Sequence, residues 1–519
     1  MTGTSAPAAG GHVEKLARKG TASVVGAACG AVFGVALVVI VTNGFSLMIA
    51  GTLFAATSVF LILQSVALLG TDTGLVRWLP AQLASERGAD VTRTLVVATV
   101  PVVGFSLAVA TFLYLAAPDL APRLVGTEAA PTMTVMLHTL ALVLPVAAAY
   151  EMLLAATRGA GSMRPTVVVD NIGRLGVQAL AVLVTFLAGG GALALALAWS
   201  LPYVPGLVAV AVWLRVQLAR IPIRRTVTPW RVLAREFWAY TSPRAIARVV
   251  QAALKRSDIV LVAALSSPAD AALYTAATRF VVFGQLFVQS VQQALSPQLS
   301  ALFARGDHPA ASSIFRAATL WSLIVAWPLY LVTAGFASPL MSVFGGGYER
   351  SSDVVVILSL TMLLATLCGS VDSVLLMAGR SWLSLANNTA ALALNIGLNV
   401  VLIPQYGIRG AAMAWSVAIV VRNVLPLLQV RRQLGLWPLT RSTGAVALAA
   451  FACFGTVDVV VLLTDLPLAV DAAVLGLGTA VYLWGIWSRR RSLGLLAFRS
   501  ALRRVPTARP DNPPESLAA

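Results

Sequence analysis

The sequence predicts an all-α polytopic membrane protein of about 14 transmembrane helices, two pseudo-symmetric six-helix lobes followed by two C-terminal helices. Three observations carry that expectation. Apolar stretches of about 20 residues, long enough to cross a bilayer, fill the chain almost from end to end. Their connections alternate sharply in Lys and Arg content, and several segments of the first half recur in the second. With 58% hydrophobic and 11% charged residues, 519 residues cannot cover a water-soluble body, so lipid is the expected solvent. The net charge of +17 must then be sorted by membrane side, and no nucleic-acid partner is expected from it.

The expected spans are 21–43, 46–69, 94–117, 131–156, 165–187, 191–214, 237–265, 270–297, 312–337, 352–378, 382–403, 408–430, 442–464 and 467–487. With the N-terminus inside, 27 Lys and Arg fall on the cytoplasmic side and only Arg123, Arg350 and Arg409 outside. The positive-inside rule therefore puts both termini in the cytoplasm, in a plasma (inner) membrane location. The first span is too long for a signal-peptide core and is followed by many others, so no cleavage is expected.

Seven of the 37 Lys and Arg lie within the spans: Arg174, Arg244, Arg248, Lys255, Arg256, Arg279 and Arg422. A cation facing lipid at a helix centre costs roughly 2.5–3.5 kcal/mol, so such groups should face a watery cavity or a partner. Snorkelling suits Arg244 and Arg422, near the cytoplasmic ends, but not Lys255 or Arg279. In span seven, Arg244, Arg248, Gln251, Lys255 and Asp258 follow 4-3-4-3 spacing and share one face, as in the wall of an aqueous cavity or an interfacial helix. Span eight returns beside it with Arg279, Gln285, Gln289, Gln292 and Gln293. Counted from the turn at 266–270, Lys255 and Arg279 lie roughly 16 and 14 Å deep, at one level.

Cations converging at midplane favour an anionic cargo, and a phosphate or diphosphate headgroup suits guanidinium geometry. The candidate substrate-binding residues are Arg279, Lys255, Arg248, Arg256, Arg174 and Gln289. An internal ion-pair network with Asp258, Asp170 and Glu151 is the structural alternative. Asp258, Asp170 and Asp372 are the candidates for ion coupling, with H+ or Na+ as the ion. Asp258 could pair with Arg256 or Lys255 and release on protonation, or form a static pair. Asp72 and Arg77 mark the cytoplasmic mouth, as a guide for the headgroup or as an interface charge pair.

Leu153-Leu154-Ala155 matches Leu375-Leu376-Met377, Asn171-Ile172-Gly173 matches Asn395-Ile396-Gly397, and Ala198-Trp199-Ser200 matches Ala414-Trp415-Ser416, at offsets of 222, 224 and 216. A repeat of six spans points both copies the same way. The expected organisation is a cytoplasmic tail (1–20), an N-lobe (21–214), a basic linker (215–236), a C-lobe (237–430), two further spans (431–487), and a tail that is basic and then Pro-rich (488–519). Lobes rocking about a central site, with the wet cavity between them, would give alternating access.

These residues resemble the polysaccharide biosynthesis (Wzx-type) flippases of the multidrug/oligosaccharidyl-lipid/polysaccharide exporter superfamily. The most specific stretch is NIGLNVVLIPQYGIRGAAMA, Asn395 to Ala414, supported by GTDTGLVRWLP from Gly70 and KRSDIVLVAALSSPADAALYTAATRF from Lys255. The resemblance implies an undecaprenyl-diphosphate-linked oligosaccharide as cargo, with membrane lipids and polysaccharide assembly enzymes as partners. Lipid II flippases of the superfamily carry a functional Arg early in span eight, which Arg279 matches. Their basic groups in spans one and two are missing here, where only Asn43 and Gln64 stand.

Nothing points to an enzyme or a cofactor: there is no Walker-type loop, and His12, His138 and His308 are dispersed without metal-ligand spacing. Cys29, Cys368 and Cys453 fall in apolar spans, as inert thiols. A membrane-embedded glycosyltransferase or polysaccharide polymerase would need catalytic groups in a large external loop, and the external acids Asp119, Glu128 and Glu349 are isolated. A small-solute antiporter of the same superfamily is the other rival.

Overall fold

Inside lipid, backbone N–H and C=O groups must be satisfied within the chain, and helices do this segment by segment. The computed structural model describes residues 8–85, 87–220, 228–457, 467–490 and 493, and among them there are helices and turns but no strands. In chain order these are α1 (Ala8–Gly44), α2 (Leu47–Ala67), α3 (Thr71–Ala84), α4 (Gly88–Gly159), a π-helical turn at Thr166–Arg174 running into α5 (Leu175–Leu187), α6 (Ala192–Ser200) and α7 (Tyr203–Leu218). The second half holds α8 (Trp230–Leu265), α9 (Pro268–Ala304), α10 (His308–Gly335), α11 (Ala337–Ser342), α12 (Ser352–Leu367), α13 (Val371–Met377), α14 (Ser381–Leu434), α15 (Arg441–Ala450) and α16 (Leu468–Ser488).

Two of these are hairpins. In α4 the helical course breaks at Gly126, whose φ of 75° only glycine adopts readily. Tyr114 and His138, each twelve residues from that glycine, stack with ring centroids 4.1 Å apart, so the two limbs run antiparallel. In α14 the break is at Gly407, and Asn387 and Gln429 exchange amide hydrogen bonds of 2.7 and 3.0 Å across it.

Ten of the described helical stretches are long and apolar enough to cross a membrane. They include both hairpins, each supplying two limbs. The protein is therefore a multi-pass membrane protein. Helix α8 is long enough but carries eight charged residues among 36, and the apolar stretch Arg441–Gly455 is short, with 458–466 outside the described residues. The expected fourteen requires both of these to cross, which apolarity alone does not supply. Helix α1 starts at Ala8, inside the expected tail, although only Val25–Gly44 has membrane-spanning character. Residues 221–227 of the expected linker and all but a few residues of the tail from 488 lie outside the described residues.

The helix ends are set by local chemistry. Ser267 Oγ accepts from Asp270 N at 3.0 Å ahead of α9, with Pro268 in the first turn, and Asp307 Oδ1 accepts from Ala310 N at 3.0 Å ahead of α10. Thr440 and Thr443 cap α15 reciprocally.

Helix α2 is the centre of the bundle, packed against α4 on one side and α8 and α9 on the other. Its hydroxyls bond back into their own turn, as Thr57 Oγ1 does to Leu53 O at 2.8 Å and Ser58 Oγ to Phe54 O at 2.7 Å, so a polar sequence is buried without orphaned donors. Gln64 reaches across to Ala147 O at 2.9 Å. A Cβ on Gly51 would collide with the Pro268 carbonyl, and the backbones of α2 and α9 approach this closely because a glycine stands there. After the linker, Thr228 donates from N (3.2 Å) and Oγ1 (2.6 Å) to the buried Asp90, while Arg87 and Arg93 reach the same threonine. This fixes the start of the second half onto the base of α4.

Candidate functional site

Helices α8 and α9 are joined by a tight turn at Ser266–Ser267, so residues equally far from it face each other. Asp258, eight residues before Ser266, accepts a hydrogen bond from Tyr274, eight residues after it, at 2.8 Å. Its other oxygen accepts from Ile259 N at 3.1 Å, and the side chain is 3% exposed. The expected pairing of Asp258 with Arg256 or Lys255 is therefore not found. The tyrosine supplies a neutral donor at the right depth, and the carboxylate needs no cation.

The consequence is a cavity of about 460 Å³ bounded by α8, α9, α10, α12, α13 and α14, with four cations on its wall: Lys255, Arg256, Arg279 and Arg422. Two carboxylates line it, Asp258 and Asp372, and Asp372 already accepts from Ser384 Oγ. Arg279 donates from Nε to Thr275 O at 3.2 Å and from Nη2 to Thr278 Oγ1 at 3.4 Å, and Arg422 donates from Nε to Asn388 Oδ1 at 2.8 Å. Among the described residues no carboxylate lies within ion-pair distance of these four. Charged groups removed from bulk water without counter-charges hold waters or an anion, because leaving them bare costs several kcal/mol each. The arrangement can bind an anion with several oxygens through planar, multidentate donors.

Every residue of this lining falls between 254 and 423, so the cavity lies within the second half rather than between the halves as expected. Lys255, Arg256, Arg279 and Gln289 are brought together there. Arg174 and Arg248 are not. Arg174, in the π-helical turn, bonds Asp170 Oδ1 at 2.7 Å and packs over the rings of Tyr203 (4.8 Å) and Tyr150 (5.9 Å). Tyr150 donates to the same Asp170 oxygen at 3.0 Å, and Glu151 takes Arg158 at 3.5 Å. Arg248 turns to Asp72 of α3 at 3.1 Å, because α3 packs beside this part of α8. Arg77 lies over Tyr240 at 4.1 Å, and Arg244 covers the same ring at 5.5 Å. The candidate mouth residues Asp72 and Arg77 thus bind α3 to α8.

Two residues were not assigned to the site from the sequence, Arg422 of the cavity wall and Tyr274, which bonds Asp258. Arg422 had the placement of a snorkelling residue, yet it joins the wall, held by an amide of the facing limb of α14. Tyr274 was legible in principle, since it mirrors Asp258 about the turn.

The model of a family described as Polysaccharide biosynthesis protein matches residues 17–303, more than half of the chain, and the MatE model matches 243–402. The probable low-salt glycan biosynthesis flippase Agl15 of Haloferax volcanii is 25% identical over 169 residues, 32% of this chain; the match spans 36% of that relative. Among solved structures, the lipid II flippase MurJ in an inward closed conformation superposes with a TM-score of 0.70 at 13% identity, over 90% of this chain and 99% of that one. An inward-facing multidrug resistance MATE family transporter of the MOP superfamily gives 0.64 at 13% identity, over 78% and 94%. At these identities the likeness is one of fold.

Proposed function

Because the chain belongs to the Polysaccharide biosynthesis protein family, we propose that it is a flippase, moving a polyprenyl-diphosphate-linked oligosaccharide across the plasma membrane by alternating access. The observation that supports this reading is the cavity in which Lys255, Arg256, Arg279 and Arg422 have no carboxylate partner among the described residues. A diphosphate presents several anionic oxygens to such a wall, and guanidinium groups stay charged while it is partly dehydrated. Undecaprenyl diphosphate is the lipid carrier in this reading, and the chain works as a transporter with no chemistry of its own.

Residues 21–214 and 237–430 act as the two lobes, with both termini cytoplasmic. For coupling to H+ or Na+, Asp258 and Asp372 face the cavity, whereas Asp170 is occupied by Arg174. The second reading, a small-solute antiporter, is favoured by the MatE match, which spans α9 and much of α8. The excess of cations disfavours cationic solutes in that cavity.

The test is to delete the gene and follow lipid-linked oligosaccharide on each membrane face, complementing with wild type, Arg279→Ala and Lys255→Ala at matched expression. The proposal expects the intermediate trapped on the cytoplasmic face, rescued by wild type and not by the variants. Normal translocation with polymer shortened outside would replace it by the polymerase reading, and normal polymer throughout by the antiporter.

A further inference from the structure

Helix α9 lines the cavity with more than its cation. Gln285, Gln289 and Gln292 follow Arg279 at spacings of six, four and three residues, and all three lie on the cavity wall. They form one stripe along the helix. At a rise of about 1.5 Å per residue the stripe begins roughly 9 Å from Arg279 and ends roughly 20 Å from it. Three amides within a membrane-spanning helix cost insertion energy unless they are used, and their use is not internal. Gln285 Nε2 has only the thioether of Met362 at 3.8 Å, a weak acceptor, and the side chains of Gln289 and Gln292 have no hydrogen-bond partner among the described residues. Elsewhere the chain satisfies such groups: Gln64 bonds Ala147 O, Gln178 bonds Trp199 O and Gln429 pairs with Asn387. Trp415 faces the same cavity from α14.

The cavity is thus divided along α9. Three of the four cations, Lys255, Arg256 and Arg279, gather at one level. Beyond them the α9 side of the wall carries neutral groups that can both donate and accept, with an indole nearby, while Arg422 of α14 and Asp372 of α13 line other parts of the wall. Hydroxyl groups need that second kind of surface: an amide offers two donors and two acceptor lone pairs without a charge to desolvate, and an aromatic face suits the C–H side of a sugar ring. Resting on the flippase reading above, we propose that Gln285, Gln289 and Gln292 form a glycan-binding stripe that holds the first sugars of the cargo while the cations hold its diphosphate.

The polarity follows from the direction of α9. Under the sidedness proposed above, the helix runs from the external face to the cytoplasm. The diphosphate then sits near midplane and the sugars lie toward the cytoplasmic side, the side from which a newly built lipid-linked glycan enters. The stripe confers a preference for the glycosylated carrier over the bare one, while the cations bind both alike.

Dissociation constants of the full-length protein in detergent should be measured for two probes. One is bare undecaprenyl diphosphate; the other is the undecaprenyl-diphosphate-linked glycan extracted from the gene-deleted source strain. Wild type is expected to bind the glycosylated probe more tightly by roughly tenfold or more, the gain of a few net hydrogen bonds. The triple variant Gln285→Leu, Gln289→Leu, Gln292→Leu keeps side-chain volume and helix apolarity. It should bind both probes with the wild-type affinity for the bare one. Gln289→Asn, which keeps the amide and shortens its reach, should lose part of the preference, and melting temperatures near wild type confirm folding. Equal wild-type affinity for the two probes, or a triple variant that keeps the preference, overturns the stripe and leaves the flippase reading standing. Wild type that binds neither probe overturns both.

Discussion

Each half of the chain contains a tyrosine that donates to a membrane-embedded aspartate, with arginine on a neighbouring turn or helix of the bundle, yet the two clusters are opposite in character. In the first half Tyr150 and Arg174 converge on Asp170, and the guanidinium is further covered by Tyr203. Every charge there is neutralised within the protein. In the second half Tyr274 and a backbone amide satisfy Asp258, and Arg256 and Arg279 are left over. Membrane-embedded cations of both halves would look alike on a list of charges. The separation between a structural ion pair and a binding group is made by what the carboxylate is already bonded to.

The comparison is broken most severely by removing Asp170. Asp170→Ala leaves Arg174 as an uncompensated buried charge and should cost roughly 3–5 kcal/mol in stability, read as a lower melting temperature and expression. Arg174→Met with Asp170→Leu should recover most of the loss, since two apolar residues can replace a satisfied pair. Next is Arg279→Ala, which removes charge-assisted hydrogen bonds of roughly 1.5–3 kcal/mol. Translocation of lipid-linked glycan should fall by roughly 10- to 100-fold with little change in melting temperature. Smaller is Tyr274→Phe. Without the phenol, Asp258 is open to the guanidinium of Arg256 or Arg279, and affinity for undecaprenyl diphosphate should drop by roughly fivefold, the scale of one hydrogen bond. Smallest is Asp72→Asn, whose partner Arg248 is 41% exposed: the stability change should stay under about 1 kcal/mol and shrink further in high salt.

Much of the architecture was legible because membrane spans obey a length rule and an apolarity rule that do not depend on tertiary contacts. The same holds for the family: the stretches from Gly70 and Lys255 lie within the matched 17–303, and the resemblance they suggested is the family the chain belongs to. The shared level of Lys255 and Arg279 followed from counting along an antiparallel pair from one turn. What failed was any inference that needed to know the neighbour. The common face of Arg248 and Lys255 was readable, but Arg248 meets Asp72 because α3 packs beside that part of α8. The 170/174 pair was readable as one turn of helix, whereas the covering rings of Tyr150 and Tyr203 come from α4 and α7. The breaks inside expected spans, at Pro202 between α6 and α7 and at Gly369 between α12 and α13, change where side chains point without changing apolarity. The position of the cavity within the second half depended on those packings, and no charge pattern encodes them.

On the flippase reading, the cations of the second half that have no carboxylate partner among the described residues, and not the paired cation of the first, hold the diphosphate. The direct measurement is the affinity of undecaprenyl diphosphate for wild type, for Lys255→Ala with Arg279→Ala, and for Asp170→Leu with Arg174→Met, at low and high salt. Wild type and the first-half variant are expected to bind alike and with salt sensitivity, and the cavity variant to lose roughly 100-fold or more. Unchanged affinity in the cavity variant, or loss confined to the first-half variant, would contradict that assignment.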